Sequence, residues 1–158
     1  MFRELTRKNK QLPMERCIEL LTREPRGVLS LLGDEGYPYG LPTDHWYDPE
    51  DGCIYFHSGP SGHKVDAIRR CNKASFCVYD QGFRKDGQWA LNISSVIVFG
   101  RIQIIADKDE AIRITRLLSL KYTSDLAYIE KEIAAYSRDL LVFRLVPEQI
   151  TGKLVTES

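Results

Sequence analysis

The sequence has no long apolar run and no excess of charge of either sign. No segment of its 158 residues approaches the ~20 consecutive apolar residues that a bilayer-spanning helix needs. The N-terminal stretch MFRELTRKNKQLP contains no continuous apolar region, so we expect no secretory signal. Lys plus Arg and Asp plus Glu both number 22. This balance gives no electrostatic reason to expect nucleic acid or an anionic membrane as a partner.

Several motifs of catalysis and metal binding are also missing. The four cysteines form no CxxC pair, and the three histidines have no carboxylate or thiol at a recognisable metal spacing, which argues against a zinc site. A cytoplasmic protein with reduced thiols is therefore expected. No Walker A loop and no GxGxxG motif occurs, and Ser58 is not part of a GxSxG elbow. The sequence thus predicts no metal, P-loop or serine-hydrolase site.

What the chain does contain is enough apolar residues for a packed core. Hydrophobic residues make up 43% and aromatic residues 10% of the sequence. No linker or repeat divides it, so we expect one domain over residues 1–158 with a polar N-terminal arm over residues 1–12. Short strands joined by tight turns, with helices inserted between them, favour an antiparallel β-barrel of about six strands with peripheral helices over a doubly wound sheet.

Local signals predict where several elements begin, turn or break. Helices are expected from Pro13, over His63–Arg70 and from Ser124, and Asp107 and Glu110 are expected to form a capping box. A hairpin turn is expected over 33–36, and a bulge at Gly100. Strands are expected over 39–47, with an edge position or bulge at Pro42, and over 140–146 and 149–155 on either side of Pro147.

The most informative segment joins a strand to a helix through a bend of small residues. Residues 54–66 read IYFHSGPSGHKVD. A helix N-terminus attracts phosphate because its first N–H groups are free and its dipole end is positive. Ser58 and Ser61 can donate hydroxyls, and Lys64 adds a full charge in a turn where a lysine otherwise opposes the helix dipole. The alternative is a serine-capped loop with a solvated lysine, and the residue types alone do not decide between the two.

Two further segments are unusual in composition. Residues 92–101 read NISSVIVFGR, a strand that is apolar on both faces and is therefore either central in a sheet or part of an interface. We expect Ile97, Val98 and Phe99 to belong to the barrel core, and Ser94 and Ser95 to be able to pair with polar edges of a ligand. Residues 37–46 read YPYGLPTDHW, which can wall a planar ring or lie beside a dimer partner.

Together these segments resemble the FMN-binding split barrels, the relatives of pyridoxamine 5′-phosphate oxidase. The resemblance rests on FHSxxxGxK at 56–64 and SVIVFG at 95–100, supported by the Tyr37-Pro-Tyr stretch and the Asp51-Gly52 turn, and it extends from about 28 to 155. Within these proteins the chain is most similar to the nitroimidazole-resistance (Nim) branch of flavin-nucleotide-binding proteins. The resemblance implies a six-stranded split barrel that forms a homodimer, with FMN at the subunit interface.

The resemblance also implies which residues would contact the cofactor. The residues at the phosphate and ribityl groups would be His57, Ser58, Ser61, Gly62, His63 and Lys64. The isoalloxazine ring would lie against Leu41, Pro42 and Thr43. Its polar edge would meet Ser95, Val96 and Ile97 of the same or the partner subunit. His57 is the first candidate for a catalytic role.

The implied activity differs from that of the vitamin oxidase. Residues 144–147 (RLVP) echo its closing motif, but its following tryptophan and its terminal arginine–histidine motif are absent, so we expect no pyridoxal phosphate chemistry. The resemblance implies an NAD(P)H-dependent reductase of small electron acceptors such as nitroaromatics or quinones. Two alternatives remain open: a haem-binding or haem-handling split barrel with His57 or His63 as axial ligand, and a non-catalytic flavin-binding sensor or carrier.

Overall fold

The computed structural model describes residues 1–157 and confirms a mainly β fold with peripheral helices. The helices are α1 (Met14–Arg23), α2 (His63–Arg70), α3 (Lys108–Leu120) and α4 (Leu126–Tyr136). The strands are β1 (Arg26–Leu32), β2 (Pro38–Asp44), β3 (Trp46–Tyr47), β4 (Ile54–Ser58), β5 (Lys73–Tyr79), β6 (Leu91–Ile104) and β7 (Leu141–Glu157). The helix predicted over His63–Arg70 is α2, with the same bounds.

The strands form one antiparallel sheet in the order β2-β1-β5-β6-β7-β4-β3. The sheet has seven strands where about six were expected. The strand predicted over 39–47 is broken at His45 into β2 and β3. The two strands predicted around Pro147 are instead the single strand β7. Since β2 and β3 follow each other in the chain yet end the strand order on opposite sides, the sheet must curve until its two edges approach, as in a barrel.

The inner face of this curved sheet carries the main hydrophobic core. Alternate residues of β5 are buried, as the two-residue period of a strand requires. The rings of Phe56 and Phe76 are fully buried and meet edge to face, with centroids 5.0 Å apart. Leu20 and Leu21 of α1 cover the same cluster. Burying one such side chain stabilises the fold by roughly 1.5–3 kcal/mol, so this core fixes the strand registers that position the site.

The outer face of β6 is not part of that core. Val96 and Val98 are fully buried, but Ile97 and Phe99 are each 41% exposed. The prediction that Ile97 and Phe99 belong to the barrel core is therefore wrong, because the rest of the chain covers only one face of β6, although β6 is central in the sheet. Phe2 of the N-terminal arm stacks on Phe99 with 5.8 Å between ring centroids. The register shift predicted at Gly100 is confirmed, between Phe99 and Gly100.

Side-chain caps determine where α3 and α4 begin. The Asp107 carboxylate accepts a hydrogen bond from the backbone N–H of Glu110 at 2.8 Å, so the N-cap is confirmed. The reciprocal half of the predicted capping box is not formed, because the Glu110 carboxylate accepts from Arg113 instead. The helix predicted from Ser124 begins later, at Leu126, because Asp125 is its cap and accepts from the N–H of Tyr128 at 2.9 Å. The helix predicted from Pro13 begins one residue later, at Met14, because Pro13 has an extended ψ of 153° and lies at the cap position.

The turn between β1 and β2 lies where the sequence predicts it. Its residues Glu35 and Gly36 have φ values of 55° and 75°, the left-handed conformation that such turns require. The N-terminal arm ends against β7, where the N–H of Leu12 donates to the carbonyl of Gly152 at 2.9 Å. None of the helices within residues 1–157 has the length and apolar character needed to cross a membrane.

Candidate functional site

The bend between β4 and α2 is open on its outer side. A side chain built at Gly59 or at Gly62 would meet no atom within 4 Å. Gly62 has a φ of 122°, which residues with a side chain rarely adopt, and this conformation turns the chain into α2. The bend therefore presents its main chain to solvent just before the first turn of the helix.

The N-terminus of α2 has no side-chain cap. Gly62 occupies the cap position and provides no side-chain hydrogen bond. The first N–H groups of any α-helix have no acceptor within the helix, so those of His63, Lys64 and Val65 depend on other partners. Ser58 and Ser61 flank the bend, the first half-buried and the second exposed. The local donor set consists of backbone N–H groups, hydroxyls and an ammonium group, which suits an anion with several acceptor oxygens.

Lys64 lies in the first turn of α2 and is half-buried. Its Nζ is 5.9 Å from the centroid of the Phe143 ring, and burial lowers the pKa of Lys64. Among the ion pairs found within residues 1–157, none includes this lysine. A cation that is partly removed from water without a counter-ion costs free energy, and an anion at the bend would offset that cost.

His63 is held by β2 and by the turn before it. Its ring stacks on Tyr39 with 4.0 Å between centroids. Its Nε2 accepts a hydrogen bond from the N–H of Asp34 at 3.2 Å. Because Nε2 is used in this way, Nδ1 is the ring nitrogen that remains for a ligand, and the main role of His63 in the structure is to fix α2 against β2.

His57, at the end of β4, has an exposed ring that lines a cleft beside the bend. Partial desolvation by the surrounding protein is the largest effect and lowers the pKa of His57. The negative charge of Asp44 raises this pKa, and the positive charge of Lys64 lowers it further. The net direction is downward, so the imidazole is neutral near pH 7 and can accept a proton.

The other predicted residues lie on two separate strands. Leu41, Pro42 and Thr43 are in β2, whose only ladder partner is β1 within residues 1–157, so that one edge of β2 keeps free backbone groups. Ser95, Val96 and Ile97 are in β6, which is separated from β4 by β7 and from β2 by β5 and β1. One chain therefore does not bring them to the bend. The Val96 side chain is fully buried and points into the core, which leaves Ser95 and Ile97 on the outer face.

A cleft of about 590 Å³ adjoins the bend and was not anticipated from the sequence, apart from His57 and Ser58 in its wall. It lies between the bend and the facing sides of α3 and α4. Its lining residues are Asp44, His57, Ser58, Gly59, Pro60, Thr115, Leu118, Ser119, Tyr122, Thr123, Tyr128, Ile129, Glu132, Ile133, Tyr136, Asp139 and Leu140. The sequence signal for this cleft was the eight-residue spacing of Tyr128 and Tyr136, which places them two turns apart on α4. In the structure these two tyrosines are 55% and 64% exposed.

The remaining histidine, His45, is completely buried at the break between β2 and β3. Its Nε2 lies 2.7 Å from the carbonyl oxygen of Leu21 and must carry the proton, because a carbonyl only accepts. The Nζ of Lys121 is 3.3 Å from the same nitrogen and donates to the carbonyl of Glu24 at 2.8 Å. Burial and the charge of Lys121 lower the pKa of His45 to about 4, and burial lowers the pKa of Lys121 to about 8. This cluster stabilises the strand break and lies outside the cleft lining.

Comparison with known proteins identifies the family. The sequence profile described as pyridoxamine 5′-phosphate oxidase matches residues 13–154, and the chain belongs to this family. No curated protein matches the chain.

Solved structures share the fold. A protein named for 5-nitroimidazole antibiotic resistance, from Bacteroides thetaiotaomicron, superimposes with a TM-score of 0.80 at 20% identity, covering 93% of this chain and 87% of its own. An FAD-binding protein from Mesorhizobium loti gives a TM-score of 0.63 at 24% identity, covering 92% and 97% of the two chains. An FAD- and haem-binding protein from Mycobacterium smegmatis gives 0.73 at 19% identity, covering 92% and 73%. At these identities the similarity concerns the fold.

Proposed function

We propose that the chain binds FMN at the bend between β4 and α2 and acts as a flavin-dependent oxidoreductase. Lys64, the first N–H groups of α2 and the hydroxyls of Ser58 and Ser61 would hold the phosphate. When bound, the flavin supplies hydride and electron chemistry, while the protein orients it and excludes water. The electrons would pass from NAD(P)H to a small acceptor such as a nitroaromatic or a quinone.

The observation that carries this proposal is the position of Lys64. It is a half-buried cation without an ion-pair partner among the described residues, in the first turn of a helix that has no side-chain cap. Both features are unfavourable in isolation, and both become favourable when a dianionic phosphate lies at the bend.

The flavin ring would lie along the free edge of β2. Alternate N–H and C=O groups of an edge strand point away from its partner and can pair with the polar edge of a planar ligand. Pro42 has no N–H to give to β1 and is therefore suited to face the free edge. Since neighbouring residues of a strand point their main-chain groups to opposite sides, this segment offers the edge the carbonyl of Pro42, while Leu41 and Thr43 pair with β1. The stack of His63 on Tyr39 keeps this edge beside the start of α2.

His57 is the residue that we propose for proton transfer. It lies between the bend and the cleft, and its lowered pKa keeps the imidazole neutral near pH 7. A neutral imidazole next to a reacting molecule can take up or release a proton at a ring nitrogen as charge develops. Lys64, whose charge also acts on His57, would lose part of that influence once a phosphate neutralises it.

A second copy of the chain would complete the site. Tyr79, Ile97 and Phe99 leave 56%, 41% and 41% of their surfaces exposed on the outer face of the sheet. Covering such a face with the same face of a second copy is the usual arrangement of a twofold dimer. Ser95 and Ile97 would then reach the cofactor of the partner, which one chain alone does not allow.

The relatives support a flavoprotein and leave the choice of ligand to experiment. One structural relative is named for nitroimidazole resistance, another binds FAD, and a third binds FAD and haem. For haem, His45 is buried and the Nε2 of His63 is already used, so the candidate axial ligands are the ring of His57 and the Nδ1 of His63.

The test is the visible spectrum of the freshly purified chain, followed by titration with FMN, FAD and haem. We expect a flavin spectrum and tighter binding of FMN than of the other two. NAD(P)H oxidation is then measured with a nitroaromatic and a quinone. Flavin binding without turnover of either acceptor would support the carrier alternative, and a haem spectrum lost in His57→Ala would support the haem alternative. A colourless protein that is still colourless after incubation with FMN and removal of the unbound FMN would end the proposal.

A further inference from the structure

The cleft beside the bend is large enough for a small aromatic molecule. Its volume of about 590 Å³ is within the range of small-molecule sites, roughly 300–1,000 Å³. Leu118, Ile129 and Ile133 give it an apolar floor between α3 and α4, and His57 and Ser58 of the proposed flavin site form the opposite wall. A molecule in the cleft would therefore lie beside the cofactor.

One face of α4 combines aromatic rings with a carboxylate. Tyr128, Glu132 and Tyr136 follow each other at four-residue spacing, so they lie on the same side of the helix in successive turns. All three line the cleft. A carboxylate with a tyrosine ring one turn away on either side is a suitable environment for an aromatic cation, because the carboxylate attracts the charge and the ring faces add cation–π attraction.

The charges of the cleft have one sign. The lining includes three carboxylates, Asp44, Glu132 and Asp139, and neither lysine nor arginine. Asp44 is neutralised by Arg26, whose Nε is 2.7 Å from its Oδ1. Glu132 and Asp139 have no ion-pair partner within residues 1–157.

The lysines around the cleft are engaged elsewhere. Lys121 donates to the carbonyl of Glu24, and Lys108 donates to the carbonyls of Ser137 and Arg138 at 2.9 and 2.8 Å. Lys64 belongs to the phosphate end of the site. An anionic ligand would therefore meet uncompensated negative charge from Glu132, whereas a cation would be attracted.

We propose that the cleft binds an aromatic cation, with its positive group against Glu132 and its ring against Tyr128 or Tyr136. This inference rests on the proposed function, since it names the class of molecule that the flavoprotein would take up beside its cofactor. It also predicts that a small aromatic carboxylate binds the cleft less tightly than an aromatic cation of similar size.

The test compares three probes that share a benzyl group: benzyltrimethylammonium (cationic), benzyl alcohol (neutral) and phenylacetate (anionic). Binding is measured by calorimetry with the purified full chain, before and after FMN addition, in parallel with a flavin absorbance titration. We expect the cation to bind most tightly and phenylacetate least. Glu132→Gln should weaken cation binding about fivefold, on the order of 1 kcal/mol, and leave benzyl alcohol unchanged.

The matched control is Glu130→Gln on the same helix, where the carboxylate pairs with Arg116 outside the cleft lining; it should leave cation binding unchanged. Phenylacetate binding as tightly as the cation, no binding of the cation, or an unchanged cation affinity in Glu132→Gln would each overturn the inference. Normal FMN binding in the same samples would show that the proposed function survives such a failure. Cation binding without FMN binding would contradict the proposed function and leave the aromatic-cation site in place.

Discussion

The imidazole of His63 and the phenol ring of Tyr39 lie nearly parallel, 4.0 Å apart and 16° from coplanar. Tyr39 belongs to β2 and His63 is the first residue of α2. The stack therefore fixes the distance between the two parts of the proposed flavin site, the strand edge for the ring and the bend for the phosphate. The hydrogen bond from the N–H of Asp34 to His63 Nε2 holds the same arrangement.

Replacing Tyr39 should affect both stability and flavin binding. In Tyr39→Leu the aromatic pair is lost, which we expect to lower the free energy of unfolding by about 1 kcal/mol. The FMN dissociation constant should rise roughly fivefold, the same free energy, because α2 is less firmly held. Urea unfolding and a fluorescence titration with FMN measure the two effects. Tyr37→Leu, at an exposed position without a stack, is the control; equal FMN affinity in both variants would contradict the role of the stack.

The conformation of Gly62 gives a second prediction. Its φ of 122° is strained for alanine although there is room for the side chain. Gly62→Ala should lower the free energy of unfolding by about 1–3 kcal/mol and weaken FMN binding, because the N–H groups of α2 would be displaced. Gly59→Ala, which has the same open surroundings without a positive φ, should change neither. Similar results for the two variants would show that the backbone turn at Gly62 is not required.

The buried His45 should make the protein sensitive to acid. The pKa of His45 is about 4 in the folded chain and near its usual 6.5 when unfolded, so only the unfolded state binds the proton between these values. Stability is therefore complete above about pH 6.5 and falls as the pH decreases toward 4, by about 3 kcal/mol in all. His57 contributes in the same direction. Urea unfolding across this range measures the loss.

A substitution separates the contribution of His45 to this loss of stability from that of His57. His45→Gln will lower stability at pH 7, since it alters a buried hydrogen bond, but its stability should fall less steeply between pH 6.5 and 4 than that of the unmodified chain. His57→Gln should flatten the curve less than His45→Gln does. The same steepness in His45→Gln and in the unmodified chain would refute the assignment.

The outer face of β6 is expected to form the dimer. Ile97→Glu should shift the protein to the monomer in sedimentation velocity experiments and weaken FMN binding, because a charge on this face opposes its burial and the second copy no longer contributes Ser95. Leu120→Glu, at a position of similar exposure (43%) at the end of α3, should remain dimeric. A dimer of unchanged stability in Ile97→Glu would place the interface elsewhere. Val96 is unsuitable for this test because its side chain is buried in the core.

The parts of the site that depend on local sequence could be predicted. The range of α2, the turn at Gly36, the cap at Asp107 and the shift at Gly100 all follow from residue types at short spacing. The bend before α2 is recognisable for the same reason, since small residues, a strand end and a lysine in the first helical turn are neighbours in the chain.

Features that depend on distant contacts could not be predicted. A strand that is apolar on both faces does not indicate which face the rest of the chain covers, and for this reason the prediction that Ile97 and Phe99 belong to the core is wrong. The cleft forms where α3 and α4 pack beside the bend, more than fifty residues away in sequence from Ser58. The contact of His45 with Lys121 spans 76 residues, and no spacing rule connects them.

The most direct measurement is the affinity of Lys64→Ala for FMN and for riboflavin, which lacks the phosphate. Lys85→Ala, which removes an exposed lysine in the loop before β6, is the control. If Lys64 holds the phosphate, FMN binding weakens by roughly 1.5–3 kcal/mol, the value of a charge-assisted hydrogen bond, while riboflavin binding does not change. FMN affinity equal to that of the unmodified chain, or an equal loss for both ligands, would contradict the account.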